Sequence, residues 1–205
     1  MHALSTTEDA SEKSALSRIL REGEVLFAER GFEGVSISEL AAAASVSKAN
    51  VFHHFASKQA LYERVLARAC ETFGDAFERI ELHGDGLAER IAALVDWYED
   101  FLRQRPQGTR LILRELAGEG MAPAQVHGLI QRNFERVVGL LEQGRAELRD
   151  GIDARLVAKV VMSLCLYGFH TERLASTVAL AGPVATDAAG RRQLIALLLR
   201  GALRD

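Results

Sequence analysis

Proline and cysteine are scarce in this chain, with three prolines and two cysteines among 205 residues. So little proline leaves long stretches free to run as uninterrupted helix, because proline breaks helix interiors. Cys70 and Cys165 lie far apart and form no Cys-x-x-Cys pair, which excludes a disulfide framework and leaves no ligand set for a structural zinc; no metal is expected. No apolar run reaches the roughly 18 residues of a membrane span. The opening MHALSTTEDASEKS is polar and acidic where a secretion signal is basic and then apolar, so a cytoplasmic protein with no membrane partner is expected. Positive charge is not in excess either, the net charge being −3. Any contact with nucleic acid must therefore come from a local concentration of charge.

Catalytic signatures are missing as well. There is no Gly-x-Ser-x-Gly elbow, P-loop or dinucleotide fingerprint, and no Glu-x-x-His pair of the kind that builds metal sites inside helical bundles. No catalytic residue and no cofactor are assigned. A helical-bundle enzyme or carrier stands as the alternative class.

What the chain does have is apolar residues returning every three or four positions almost throughout, which predicts an all-α fold. A first helix runs from about Glu12, with Leu16, Ile19, Leu20, Leu26 and Phe27 on one face and Gly31 as its stop. Ser36-Ile37-Ser38-Glu39 reads as a capping box opening a short helix to about Ala44. Ser47 caps a second short helix from Lys48 to about Phe55, and Ser57 starts a long one toward Ile80. Two short helices joined by a tight turn between longer ones outline a helix-turn-helix. Beyond the loop at 83–86, a stripe from Leu87 to Leu102 predicts a helix of about 18 residues that stops before Pro106. Helices over Thr109 to Ala117, from Pro123 to about Leu148, from Asp153 to about Leu174 and from Arg191 to Leu203 follow, with a flexible loop at 182–190.

Residues 40–62 carry Lys48, Lys58, His53 and His54 and no acidic residue, so positive potential gathers on the second short helix and the start of the next. Phe27-Ala-Glu-Arg-Gly-Phe32, then Ile37-x-x-Leu40-Ala41-x-x-Ala44-x-Val46-Ser47, then Val51-Phe52-x-x-Phe55-x-Ser57-Lys58-x-x-Leu61 resembles, in register, the N-terminal domain of the tetracycline-repressor (TetR) family of transcriptional regulators. The resemblance covers about the first third of the chain. It implies a DNA-binding domain at 12–60 behind a disordered tail at 1–11, and a divergent ligand-binding and dimerisation domain at 61–205.

Three departures from that family's pattern stand out. Ser45 occupies the turn position where glycine is usual, at a cost of about 1 kcal/mol if φ is positive there. Phe52 replaces the common tyrosine and so lacks a phenolic hydroxyl for a phosphate. Ala49 stands where glycine is common and favours helix. Within the module, Ser36 and Ser57 cap helices and offer amides to phosphate, Lys58 is a phosphate partner, and His53 and His54 are further donors. Ser47, Lys48, Ala49 and Asn50 lie at the exposed start of the recognition helix, where asparagine suits adenine and lysine suits guanine. Ile37, Leu40, Val46, Val51, Phe52, Phe55 and Leu61 are assigned to the core.

In the C-terminal domain, Trp97, Arg114, Glu115, His127, Asn133, Cys165, Tyr167 and His170 interrupt apolar faces with polar or polarisable groups, the pattern of a small-molecule pocket; a satisfied core residue is the competing reading of each. Met162, Leu166, Phe169, Leu194, Leu197 and Leu198 are too many large apolar groups to face water, and predict a homodimer through the last two long helices. The expected function is a one-component regulator on a palindromic double-stranded operator, a repressor released by a small organic ligand. An activator or ligand-independent regulator of the same fold is the nearer alternative.

Overall fold

The computed structural model describes residues 4–118, 123–175 and 188–204. Nine α-helices and a short 3-10 turn account for the ordered elements among them, and the one β feature is an isolated bridge between Leu148 and Leu203. In chain order the helices are α1 (Leu4–Arg30), α2 (Ile37–Ala43), α3 (Lys48–His54), α4 (Lys58–Phe77), α5 (Leu87–Gln104), α6 (Pro106–Leu116), α7 (Ala124–Gln143), α8 (Ala154–Ala175) and α9 (Ala188–Ala202).

Most boundaries fall within a few residues of those that capping and periodicity give, and the exceptions have physical reasons. Helix α1 begins at Leu4, so residues 4–11 of the expected disordered tail continue the helix as a polar extension. Helix α5 stops at Gln104, before Pro106 as expected, but α6 begins at Pro106 rather than at Thr109, because the fixed φ of proline suits a first helical position and its missing N–H costs nothing there. Helix α7 ends at Gln143 rather than near Leu148, because the chain turns at Gly144 beneath Leu87: a Cβ on Gly144 would lie 2.7 Å from Leu87 Cδ1. The expected loop at 182–190 falls mostly outside the described residues, and α9 already includes its last three positions.

The chain divides into two compact units, residues 1–72 with 107–129 and residues 73–106 with 130–205. In the first, α1 packs on α2 and α2 on α3. Its core holds Ile19, Phe27, Leu40, Val51, Leu61, Tyr62, Val65 and Leu111, all essentially inaccessible. The rings of Phe27 and Phe32 meet Tyr62 edge-on at 5.0 and 5.1 Å, within the range where such contacts add to burial. In the second unit, α5 packs against α8 and α9. Leu87, Ile91, Leu94, Val95, Tyr98, Val137, Leu141, Val161 and Cys165 form its centre.

Candidate nucleic-acid interface

The helix-turn-helix is built from serines. Ser36 Oγ accepts from the Glu39 amide at 3.1 Å while the Ser36 amide and hydroxyl donate to Glu39 Oε2 at 2.9 and 2.7 Å, closing the capping box. Those bonds, with Arg30 close by, hold the Glu39 carboxyl below the usual carboxylate range. Ser47 Oγ accepts from the Asn50 amide at 3.0 Å and Ser57 Oγ from the Ala60 amide at 3.0 Å, so α3 and α4 start where their hydroxyls stand.

Between α2 and α3, the Val46 amide donates to Ala41 O and the Ser45 amide to Ala42 O, the paired bonds of a Schellman turn. Ser45 takes a φ of +54° at the position where that turn favours glycine, and it is the sole non-glycine residue with positive φ among those described. Arg18 Nε donates to Ala44 O at 3.0 Å and ties the turn to α1.

Turn geometry decides which face of α3 looks outward. At 100° per residue, Lys48, Phe52, Ala49 and His53 occupy one continuous arc, and all four are exposed. Phe52 is 45% exposed, which corrects its assignment to the core: the buried direction of α3 is taken by Val51, with Phe55 just beyond. Leu40, Val51, Phe55 and Leu61 are buried as expected, and Ile37 and Val46 are half-buried. Asn50 and His54, one turn apart, lie on the half-buried flank; Asn50 Oδ1 and His54 Nε2 are buried without a hydrogen-bond partner. The helix thus presents a ring, a methyl group, an ammonium and an imidazole to the outside, with the Asn50 amide oxygen turned in. Lys48 Nζ stands 6.0 Å from the Phe52 ring centroid, and Lys58 Nζ sits 4.2 Å over the Phe32 ring, at the range of a cation–π contact. Ser36 and Ser47 are exposed beside their caps.

The eight residues expected to line a ligand pocket are divided between the two units. Arg114, Glu115 and His127 belong to the first unit. There Arg114 donates to the carbonyls of Ala28 and Glu29 at 3.3 and 3.4 Å, and the Tyr62 hydroxyl donates to Glu115 Oε1 at 2.5 Å in a buried contact. His127 is exposed. In the second unit, Asn133 accepts from Arg136 Nη1 at 2.6 Å, and Arg136 also pairs with Glu78 at 2.9 Å. Gly74 permits that approach, since a Cβ there would lie 2.7 Å from Arg136 Nη1. Asn133 is therefore a satisfied interior polar group. Trp97 joins Phe73, Phe77, Tyr98 and Phe101 in a cluster with ring centroids 5.3–6.4 Å apart, which encloses a void of about 10 Å³, room for no more than a water. Cys165 is buried in the same core, whereas Tyr167, 67% exposed, and His170 face outward.

A larger concavity of about 610 Å³ opens between α5 and α9, floored by Ala88, Ala92, Val95, Ile195 and Leu199. Two of its arginines are engaged, Arg192 with Asp96 and Arg204 with Asp150. No signal in the sequence marked it, because it is made by small residues on two helices about a hundred positions apart.

Leu194, Leu197 and Leu198 of the expected dimer face are exposed on α9. Their α8 counterparts Met162, Leu166 and Phe169 are half-buried, packed in part against the second unit's own core, and among the described side chains of α8 the exposed large apolar ones are Leu156 and Tyr167. A helix apolar nearly all round gives no sequence cue to which stripe faces inward. Among the described residues no group of three His, Cys, Asp or Glu side chains is placed to hold a metal. No described helix is long and apolar enough to cross a membrane.

Residues 19–65 match the family described as bacterial regulatory proteins, tetR family. The transcriptional regulator UidR of Escherichia coli K12 is 25% identical over 158 residues, covering 72% of this chain and 76% of that protein. A tetR transcriptional regulator from Chloroflexus aurantiacus superposes with a TM-score of 0.75 at 21% identity, over 95% of this chain and all of the other. AibR, solved with isovaleryl coenzyme A and operator DNA, superposes with a TM-score of 0.62 at 21% identity over 77% of this chain and 86% of its own.

Proposed function

Since the chain belongs to the tetR family of bacterial regulatory proteins and is a DNA-binding transcriptional regulator, we propose that it is a cytoplasmic homodimeric repressor. In this reading its paired α3 helices dock in successive major grooves of a palindromic operator, and a small organic ligand releases it. The observation that carries the proposal is the outward arc of α3, a short helix fixed at its start by the Ser47 cap and at its entry by the Schellman turn, with Lys48, Ala49, Phe52 and His53 projecting from a rigid three-helix support. Lys58 and the amides beside Ser36 serve the phosphates on either side. Residues 12–60 act as the DNA-binding domain and 61–205 as the sensing and dimerising one, the partner copy covering Leu194, Leu197 and Leu198 together with Leu156 and Tyr167.

That AibR was solved with both an acyl-coenzyme A and its operator supports an organic ligand for this chain too. We place that ligand in the second unit's core beside Trp97 and Cys165, where entry requires the rings to move. Such movement supplies the difference between liganded and unliganded states that release of DNA requires. An electrophoretic shift on the DNA flanking the protein's own coding region tests the reading. A repressor retards that DNA specifically and lowers expression of a reporter driven by it, whereas an enzyme or carrier gives only weak, salt-labile retardation and no effect on the reporter.

A further inference from the structure

Phe52 is the largest group at the middle of the outward arc of α3, flanked by Ala49, Lys48 and His53, and 45% of it is open to water. Val51, the next residue back and 100° away around this seven-residue helix, takes the buried direction, and Phe52 is left with nearly half of its surface open to water. A benzyl side chain carries no donor or acceptor and so reads neither a phosphate nor a base edge by hydrogen bond. The major groove offers one apolar feature, the thymine 5-methyl group, and it is the partner of apolar side chains there. Asn50, the residue chemically suited to adenine, lies on the half-buried flank away from the ring with its amide oxygen buried, so the outward arc itself carries no amide to read adenine.

We infer that Phe52 is a specificity-determining residue that selects thymine by its 5-methyl group in the operator. The inference rests on the reading of the chain as an operator-binding regulator. Lys48, with its Nζ 6.0 Å from the ring centroid, faces the same stretch of groove and supplies the neighbouring polar contact.

The test uses the full chain and a duplex it selects from a random pool. Each thymine of the selected site is replaced in turn by deoxyuridine, which removes the methyl and leaves every hydrogen bond intact. One or two replacements per half-site are expected to weaken binding about fourfold each, the effect of exposing one methyl-sized apolar group. Phe52→Ala is expected to bind the parent site more weakly, to become indifferent to those replacements, and to keep the same dependence on salt, because the ring neutralises no phosphate. Its exposure makes the variant's thermal stability close to that of the parent, and the deoxyuridine series on the unaltered chain stands independently of the variant.

Three results overturn the inference while leaving the operator-binding reading intact: indifference of the unaltered chain to every replacement, a selected site without thymine in the bound groove, or a Phe52→Ala variant that keeps the methyl preference. A reduced salt slope in Phe52→Ala also overturns it, by showing that the ring acts through a charged contact with the phosphates and not through the methyl group. Failure to select any site defeats the operator-binding reading itself and this inference with it.

Discussion

The two compact units are built from the same material, amphipathic helices, but they fix their helix ends differently. In the first, α2, α3 and α4 are each started by a hydroxyl within their own segment: Ser36 bonds Glu39, Ser47 bonds Asn50 and Ser57 bonds Ala60. In the second, α5 begins at Gly86, which has no side chain to offer, and the Leu87 amide instead donates at 2.6 Å to Glu147 Oε2, a carboxylate sixty residues further on. Arg90 braces the same carboxylate at 3.3 Å. Arginines then pair with carboxylates on other segments, Arg136 with Glu78, Arg155 with Glu135 and Arg192 with Asp96. A locally capped module keeps its shape from a short stretch of sequence, whereas the start of α5 is held by a group distant in the chain, although α8 in the same unit is capped locally by Asp153 Oδ1 at the Arg155 amide.

The largest effects should come from the two cores, and they test whether the units are equally filled. Leu40→Ala in the first unit removes a side chain with no solvent exposure, and Trp97→Ala in the second opens the aromatic cluster around a void of about 10 Å³. Losses of about 2–5 kcal/mol for the leucine and about 3–5 kcal/mol for the tryptophan are expected in thermal or urea unfolding. A Trp97→Ala variant that melts like the parent and only weakens the ligand response would show that the ring lines an open pocket.

Next in size is the pair of buried phenols, one in each unit. Burial pushes the ionisation of both Tyr62 and Tyr98 upward, reinforced in Tyr62 by its hydrogen bond to Glu115 and in Tyr98 by the neighbouring Cys165. The folded chain thus keeps these phenols protonated where the unfolded chain ionises them. Their contribution to stability is complete below about pH 10 and is lost as pH rises from there through the raised folded values. Tyr62→Phe leaves Glu115 without this donor and should cost about 1–3 kcal/mol at neutral pH while making the alkaline loss shallower. Melting curves between about pH 8 and 11 check both parts, and an unchanged alkaline limb would assign that limb to the second unit.

The first unit was legible because its information is local. A serine three residues before a glutamate predicts the capping box at Ser36 and Glu39, and the alternation of capped starts places α2, α3 and α4 nearly to the residue. Phe52 was misread there because an aromatic residue in a helical pattern reads as core, and only the turn's geometry shows that α3 aims it outward. In the second unit helix existence was legible but facing was not. Met162, Leu166 and Phe169 share a stripe with the same hydrophobicity as the outward one, and which stripe packs is settled by α5. The hydrogen-bond partners of the polar residues expected in a pocket were no easier to read. Arg136 is a helix-face neighbour of Asn133 three positions on, but nothing near them in sequence announces the space that Gly74 leaves for it, and nothing near Glu115 announces the Tyr62 hydroxyl fifty-three residues away.

Caps of the two kinds should respond differently to a change of length. Ser36→Ala and Glu147→Ala should each cost about 1 kcal/mol by leaving a helix-start amide without its acceptor. Ser36→Asn should restore most of the loss, because its amide oxygen reaches the same N–H while its NH2 can still donate to Glu39. Glu147→Asp should not, since one methylene fewer withdraws the carboxylate from Leu87 N and both segments are held by their own packing. Chemical denaturation of the four variants checks this, and equal rescue at both sites would erase the distinction between local and remote capping.

The smallest effect should be a gain. Ser45 closes the Schellman turn at a φ of +54°, a conformation in which an L side chain crowds the backbone and glycine does not. The turn's two bonds, Val46 N to Ala41 O and Ser45 N to Ala42 O, use backbone alone, so glycine can make both of them. The Ser45 side chain is exposed and gives up little on removal. Against the relief of about 1–2 kcal/mol stands the larger entropy that glycine brings to the unfolded chain, about 0.5–1 kcal/mol. Ser45→Gly should therefore stabilise the first unit by about 0.5–1 kcal/mol, seen as a rise of a few degrees in melting temperature. Operator affinity should be unchanged if the serine already holds the orientation between α2 and α3 that DNA requires. A gain in affinity together with stability would mean that the serine turn samples other geometries in the free protein, and that the first unit is less rigid than its caps imply.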